Sequence, residues 1–120
     1  MYKGLNKTEL GRLGEKLAAE YLRRAGLKII DQNYRCPKGE IDLIAQDGKW
    51  LVFIEVRTKT SAKLGYAEES LTAKKIQRLR SLGSYYLLEQ GFKEFPPLRF
   101  DLLAINFRDL DYDINWLKGI

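Results

Sequence analysis

Histidine is absent from all 120 residues, and cysteine occurs once, at Cys36. The first absence removes Ser-His and Cys-His nucleophilic mechanisms and His-ligated zinc together. The second excludes an intramolecular disulfide and is compatible with a reducing cytoplasm. Without a histidine base, Cys36 reads as a small apolar side chain. No apolar run approaches the roughly 20 residues that cross a bilayer. The opening segment MYKGLNKTELGRLGEKL lacks the apolar core of a secretion signal. The expectation is a cytoplasmic protein with no membrane partner. Any hydrolytic chemistry must run on carboxylates, Lys, Arg or metal-bound water.

What is present suits one domain spanning 1–120. Hydrophobic residues make up 45% and charged residues 31%, which argues for a packed core rather than disorder. Lys and Arg number 21 against 16 Asp and Glu, leaving a net charge of +5. That balance favours a polyanionic partner, although scattered surface lysines produce it too. The informative question is where the acids sit.

Residues 8–25 have helical periodicity, with Leu10, Leu13, Leu17 and Tyr21 as the apolar stripe, Thr8 as the cap and Gly26 as the stop. Gly14 and Ala18 lie near the same face and would let the helix approach a sheet closely. Three extended segments follow at 27–34, 40–46 and 50–58, the last two joined at Asp47-Gly48, a strong hairpin signal. Residues 59–71 read as a mobile basic loop. A second helix is expected over 72–90, a fourth strand over 98–107 after Pro96-Pro97, and a short fifth strand over 112–117. The order α-β-β-β-α-β-β predicts an α/β fold with a mixed central sheet flanked by helices.

Strand alternation puts Glu40, Asp42 and Ile44 on one face of the second strand, and Ile41, Leu43 and Ala45 on the other. On the third strand Phe53, Glu55 and Arg57 share a face, opposite Val52, Ile54 and Val56. Counted outward from the hairpin, Asp42 and Glu55 lie at comparable depth and can converge. A carboxylate among Ile, Leu, Val and Phe is costly unless paired, and two at one depth repel. A hard divalent cation, magnesium or manganese, would resolve both problems, with Asp42, Glu55 and the Val56 carbonyl as ligands. A solvated sheet face carrying Glu40, Asp42, Glu55 and Arg57 fits the periodicity equally well.

Helical spacing adds Glu15, at the border of the first helix's apolar stripe, and Lys75, at the inner edge of the second helix's N-terminus. Each has an ordinary alternative: a boundary glutamate, and a lysine that lays its stem on the core with its ammonium in water.

The run GRLGEKLAAEYLRRAGLKIIDQNYRCPKGEIDLIAQDGKWLVFIEVRTKT, with GYAEESLTAKKIQRL and LRFDLLAI, resembles the uncharacterised bacterial YraN family. That family is similar to archaeal Holliday-junction resolvases and to the PD-(D/E)xK superfamily. The resemblance implies a restriction-endonuclease-like fold. It implies that Asp42 is the metal-binding aspartate, Glu55 the acid of the E-x-K element and Glu15 the helix-one glutamate. Arg57 stands where the nuclease motif has Lys, although YraN-like sequences show either. Arg stays protonated and is a poor general base, but it can clamp a phosphate. Lys59 or Lys75 would then take the missing role.

Two functions are expected from this pattern. One is a magnesium- or manganese-dependent endonuclease on branched or structured DNA, with Asp42, Glu55 and Glu15 holding the ion and Arg57 and Lys75 orienting phosphate. Resolvase-like activity would call for a symmetric homodimer, although no dimer surface is legible. The other is a non-catalytic nucleic-acid-binding protein in which Arg57, Lys59, Lys63 and Lys75 carry the affinity. The intact acid pair favours the first, because a binder gains nothing from two carboxylates facing a phosphate without a cation between them.

Overall fold

A computed structural model describes residues 2–60 and 65–120. Helix α1 spans Lys7–Arg24, and strands β1 to β3 span Lys28–Cys36, Gly39–Asp47 and Trp50–Lys59. A 3-10 turn at Ala67–Ser70 precedes helix α2, Ala73–Glu89, and strands β4, Leu98–Phe107, and β5, Tyr112–Leu117. The five strands form one sheet in the order β1-β2-β3-β4-β5. Only β3 and β4 run parallel, joined through α2; the other neighbours are antiparallel. The sheet is therefore mixed, and the element order is the expected one.

The helices cover opposite faces. Buried residues of α1 pack with Leu43, Ala45, Val52, Ile54, Leu103 and Ile105. Those of α2 pack with Ile41, Ile44 and Phe53. Helix α1 is capped by Asn6, not Thr8: the Asn6 side chain accepts from Glu9 N–H at 2.8 Å, and Glu9 accepts from Asn6 N–H at 3.1 Å. The reciprocal box needs Glu or Gln three residues on; Thr8 has Gly11 there. The buried stripe is Leu10, Gly14, Ala18 and Leu22, while Tyr21 is 37% exposed. Small residues win the contact because a Cβ on Gly14 would collide with the Thr58 methyl group.

Two other expectations are corrected. Residues 67–70 are tied down: Ala67 is fully buried against Leu102 and Ala104, and Asn106 accepts from Ala67 N–H at 2.8 Å while donating to Glu68 at 2.8 Å. The alternation along β2 also breaks. Ile41 joins the α2 core with Ile44, whereas Leu43 joins the α1 core. Period two would have placed Ile41 and Leu43 together. Gln32 pairs with Leu43 and Tyr34 with Ile41, so Asn33 falls opposite Asp42. Asn33 has φ +54°, the left-handed conformation that Asn tolerates better than most residues. That twist carries both strands over by one face, and it falls at Asp42.

Candidate functional site

The two-residue turn is Gly48-Lys49, one residue later than the expected Asp47-Gly48, and it sets the β2–β3 register with Asp47 opposite Trp50. Gly48 has φ +58° and Lys49 does not have positive φ, the II′ pattern that matches strand twist. Pairing runs back from there and stops at Leu43 opposite Ile54. Beyond that point β2 stays paired with β1, and β3 stays paired with β4 as far as Lys59. The sheet forks, and the first residues past the last β2–β3 pair are Asp42 and Glu55.

The fork leaves backbone groups of β3 without a ladder partner on the β2 side. Asp42 supplies one: its Oδ2 accepts from Val56 N–H at 2.8 Å. The Asp42 carboxylate therefore lies in the plane of the sheet, inside the fork. In an antiparallel ladder the N–H and C=O of one residue point to the same edge, so the Val56 carbonyl is also directed towards this gap.

Carboxylates approach from both faces. Glu15, from α1, stands close enough to Asp42 for its charge to act on the Asp42 carboxyl. Asn33, with its amide nitrogen turned towards Glu15, donates to both oxygens at 3.1 and 3.2 Å. Glu55 comes from the opposite face, the one that carries Phe53 and Arg57. Burial, then the charges of Glu55, Glu15 and Glu40, push the Asp42 carboxyl up to about 7, against the lowering effect of the Val56 hydrogen bond. Glu15 is also raised, chiefly by burial and less by Glu40, while Asn33 and Asp42 oppose the shift. Removing protons from this group leaves unbalanced negative charge in a half-buried fork.

Arg35 pairs with Glu40 at 3.2 Å, and other cations stand on the Glu55 side. Arg57 lies 3.5 Å from Glu55, and its Nε donates to Ser70 Oγ at 2.9 Å. Lys75 donates from Nζ to the Ser70 carbonyl at 2.9 Å, and Ser70 Oγ donates to the Ala67 carbonyl at 2.7 Å. Ser70 thus links the expected phosphate clamp to the expected helix lysine. Lys59 is half-buried and borders a hollow with Lys7, Val56 and Arg57. Lys63 lies outside the described residues.

The structure therefore brings Glu15, Asp42, Glu55, Val56 and Arg57 to one fork, with Lys75 one residue removed. Among the described residues, no three acidic, His or Cys side chains already converge on a common point as ligands would. The donor set is all carboxylate and carbonyl oxygen with an excess of negative charge, which suits a hard divalent ion and not zinc or copper. Sequence reasoning missed Asn33 and Ser70. Asn33 left a trace, as an Asn within a strand pattern; Ser70 left none, since its role depends on where β3 and α2 meet.

A second polar centre sits at the far end of the α1 face. Asp101, fully buried, accepts from Arg99 Nε at 3.0 Å, Trp116 Nε1 at 2.9 Å and Gly119 N–H at 3.1 Å. Arg99 also pairs with Asp47 at 2.9 Å. Every group here is satisfied, and the cluster pins β5 and the residues after it to β4.

No helix among the described residues is long and apolar enough to cross a membrane. In comparisons with known proteins, a UPF0102 protein of Desulfitobacterium hafniense is 48% identical over 118 residues, 96% of this chain and 98% of the relative. A UPF0102 protein of Renibacterium salmoninarum is 46% identical, over 82% of this chain and 83% of its own. One from Caldicellulosiruptor saccharolyticus is 39% identical over 96% and 98%. The family model described as "Uncharacterised protein family UPF0102" matches residues 14–105, from Gly14 on α1 through the whole fork to Ile105 on β4. The chain belongs to the UPF0102 family, the YraN family that its motifs resemble.

Proposed function

We propose that this protein is a metal-dependent endonuclease of the restriction-endonuclease-like, PD-(D/E)xK kind, acting on structured or branched DNA. The observation that carries the reading is the forked sheet with Asp42 and Glu55 as the first residues past its last β2–β3 pair, where the Asp42 carboxyl is raised to about 7. A surface salt-bridge network would hold its acids ionised against cations. This fork instead holds Asp42 short of positive charge and in reach of Glu15 and Glu55.

Magnesium or manganese would be held by Asp42, Glu55 and the Val56 carbonyl, with Glu15 assisting. When bound, such an ion lowers the pKa of a water and neutralises charge on a phosphodiester. The chain's own residues do the rest. Asp42 would have to be ionised to hold the cation, and Glu15 stands beside it as a further carboxylate. Asn33 keeps Glu15 aimed at the fork. Arg57 offers a planar pair of donors to phosphate oxygens and stabilises charge that builds there. Lys75, two hydrogen bonds away through Ser70, provides a second positive charge.

A second reading, a non-catalytic nucleic-acid-binding protein, is favoured by one observation. Arg57 occupies the motif's Lys position and is engaged with Glu55 and Ser70, and Arg cannot serve as a general base at neutral pH. Cleavage assays on linear, flapped and four-way DNA with magnesium or manganese decide between them. The nuclease reading expects cleavage of at least one branched substrate, lost in Asp42→Asn and Glu55→Gln. Tight binding of all substrates with no cleavage in either metal leaves the binding function.

A further inference from the structure

A groove runs between α2 and the β1–β2 turn, lined by Lys38, Thr72, Lys74, Lys75, Gln77 and Arg78. No acidic residue lines it. Gly39 lies against Leu82 of α2, which brings the neighbouring Lys38 over the helix. Lys38, Lys74 and Arg78 are exposed, and none of the three has an ion-pair partner among the described residues. Unpaired like charges on one surface repel, so the groove is complementary to an anion that meets several of them at once. Lys74 and Arg78 sit one helical turn apart, about 6 Å along the axis.

Two more observations narrow the partner. A chain of polar contacts links the groove to the fork: Lys75, which lines the groove, holds Ser70, and Ser70 holds Arg57 beside Glu55. A polymer placed with one phosphate at the fork would lay its neighbouring phosphates along these cations. The lining contains no aromatic ring, and single strands are typically gripped by rings on which bases stack. We propose that this groove is a track for the sugar-phosphate backbone of a DNA duplex, read without regard to sequence, leading away from the fork. The inference rests on the nucleic-acid reading above and extends it to a surface outside the acidic site.

The test is fluorescence anisotropy of a labelled DNA duplex against salt, in chelator so that no cleavage occurs. The groove variant combines Lys38→Ala, Lys74→Ala and Arg78→Ala and leaves Lys75 intact. A control combines Arg24→Ala, Lys49→Ala and Lys93→Ala, exposed cations outside the groove. Thermal melts check that both retain the parent fold. Each lost phosphate contact lowers the magnitude of the log-log salt slope by about 0.9, so the groove variant should lose up to about 2.7. The control should keep the parent slope. If the parent binds duplex and the groove variant matches it in affinity and slope, the track is wrong and the fork reading stands. If single strands bind more tightly than duplex, the duplex assignment is overturned. A parent that binds no DNA at any salt overturns the track and the nucleic-acid reading together.

Discussion

Replacing Asp42 by Asn tests the fork without any substrate. In the folded chain the Asp42 carboxyl is raised from its usual 3.8 to about 7. The sign follows from linkage: the folded state holds this proton more tightly than the unfolded chain. The parent's stability is therefore full below about pH 4 and falls as pH rises to about 7. At 1.36 kcal/mol per pKa unit the loss approaches roughly 4 kcal/mol at pH 8, and about 1.6 kcal/mol at pH 5. Asn mimics the protonated acid. Its carbonyl can still accept from Val56 N–H, and its amide can donate to Glu15 or Glu55. The retained bond is neutral and weaker, so roughly half the gain should survive, about 2 kcal/mol at pH 8. For a chain of this length that is a rise in Tm of about 6–10 °C. Near pH 4 parent and variant should melt together.

Metal sharpens the comparison. A ligand that binds only the folded state stabilises by about 2.7 kcal/mol at a hundredfold excess over its Kd. Manganese should raise the parent's Tm at pH 8, more weakly at pH 6 where Asp42 keeps its proton, and should leave Asp42→Asn unmoved. Melts at three pH values, with manganese and with chelator, make the whole test. The reasoning is refuted if Asp42→Asn melts below the parent at pH 8 and manganese shifts neither. Asp42 would then be a structural acceptor for Val56 and nothing more.

Other expectations concern the frame that holds the fork. Asp101→Asn should cost about 3 kcal/mol in urea unfolding, the lower end for breaking a buried pair, because Arg99 keeps Asp47; a loss below about 1 kcal/mol would show the cluster to be dispensable. Gly14→Ala should gain about 1 kcal/mol of helix propensity yet lower Tm, since its Cβ drives α1 away from Thr58 at a typical overpacking cost of about 1–3 kcal/mol; a stabilised variant would mean that α1 can shift freely over the sheet.

The acid pair was legible in the sequence for a definite reason. Both acids lie a similar distance from the hairpin turn: a loop at Asp47-Gly48 sets Asp42 opposite Phe53, and the observed loop at Gly48-Lys49 moves it two positions on, level with Glu55. The element order was legible too, because Gly26, Gly48 and Gly91 end their elements with positive φ. What could not be read depends on partners distant in the chain. The 67–70 turn looks like loop until Asn106 and Asn115 close on Glu68. The face to which Asp42 turns depends on Asn33, nine residues back and on another strand. Glu15 could be placed at a stripe border, but its contact with Asp42 requires α1 to sit as low on the sheet as Gly14 allows.

The charges around the fork are divided unequally, and that division bears on what the site can do. Glu55 has a cation of its own in Arg57, at a separation of 3.5 Å that leaves the pair loose. Asp42 has none among the described residues; its company is one peptide N–H and three acids. An incoming divalent ion therefore gains most at Asp42, while at Glu55 it must compete with Arg57. Arg57 need not be lost in that exchange, because Ser70 Oγ still holds its Nε and frees the rest of the guanidinium to turn towards a phosphate. Lysine at the same position would have only a point charge to offer and no second bond to keep it in place. On the proposed function, the arginine that weakens the case for a general base would balance Glu55 in the absence of substrate and would grip phosphate once a cation had taken its place.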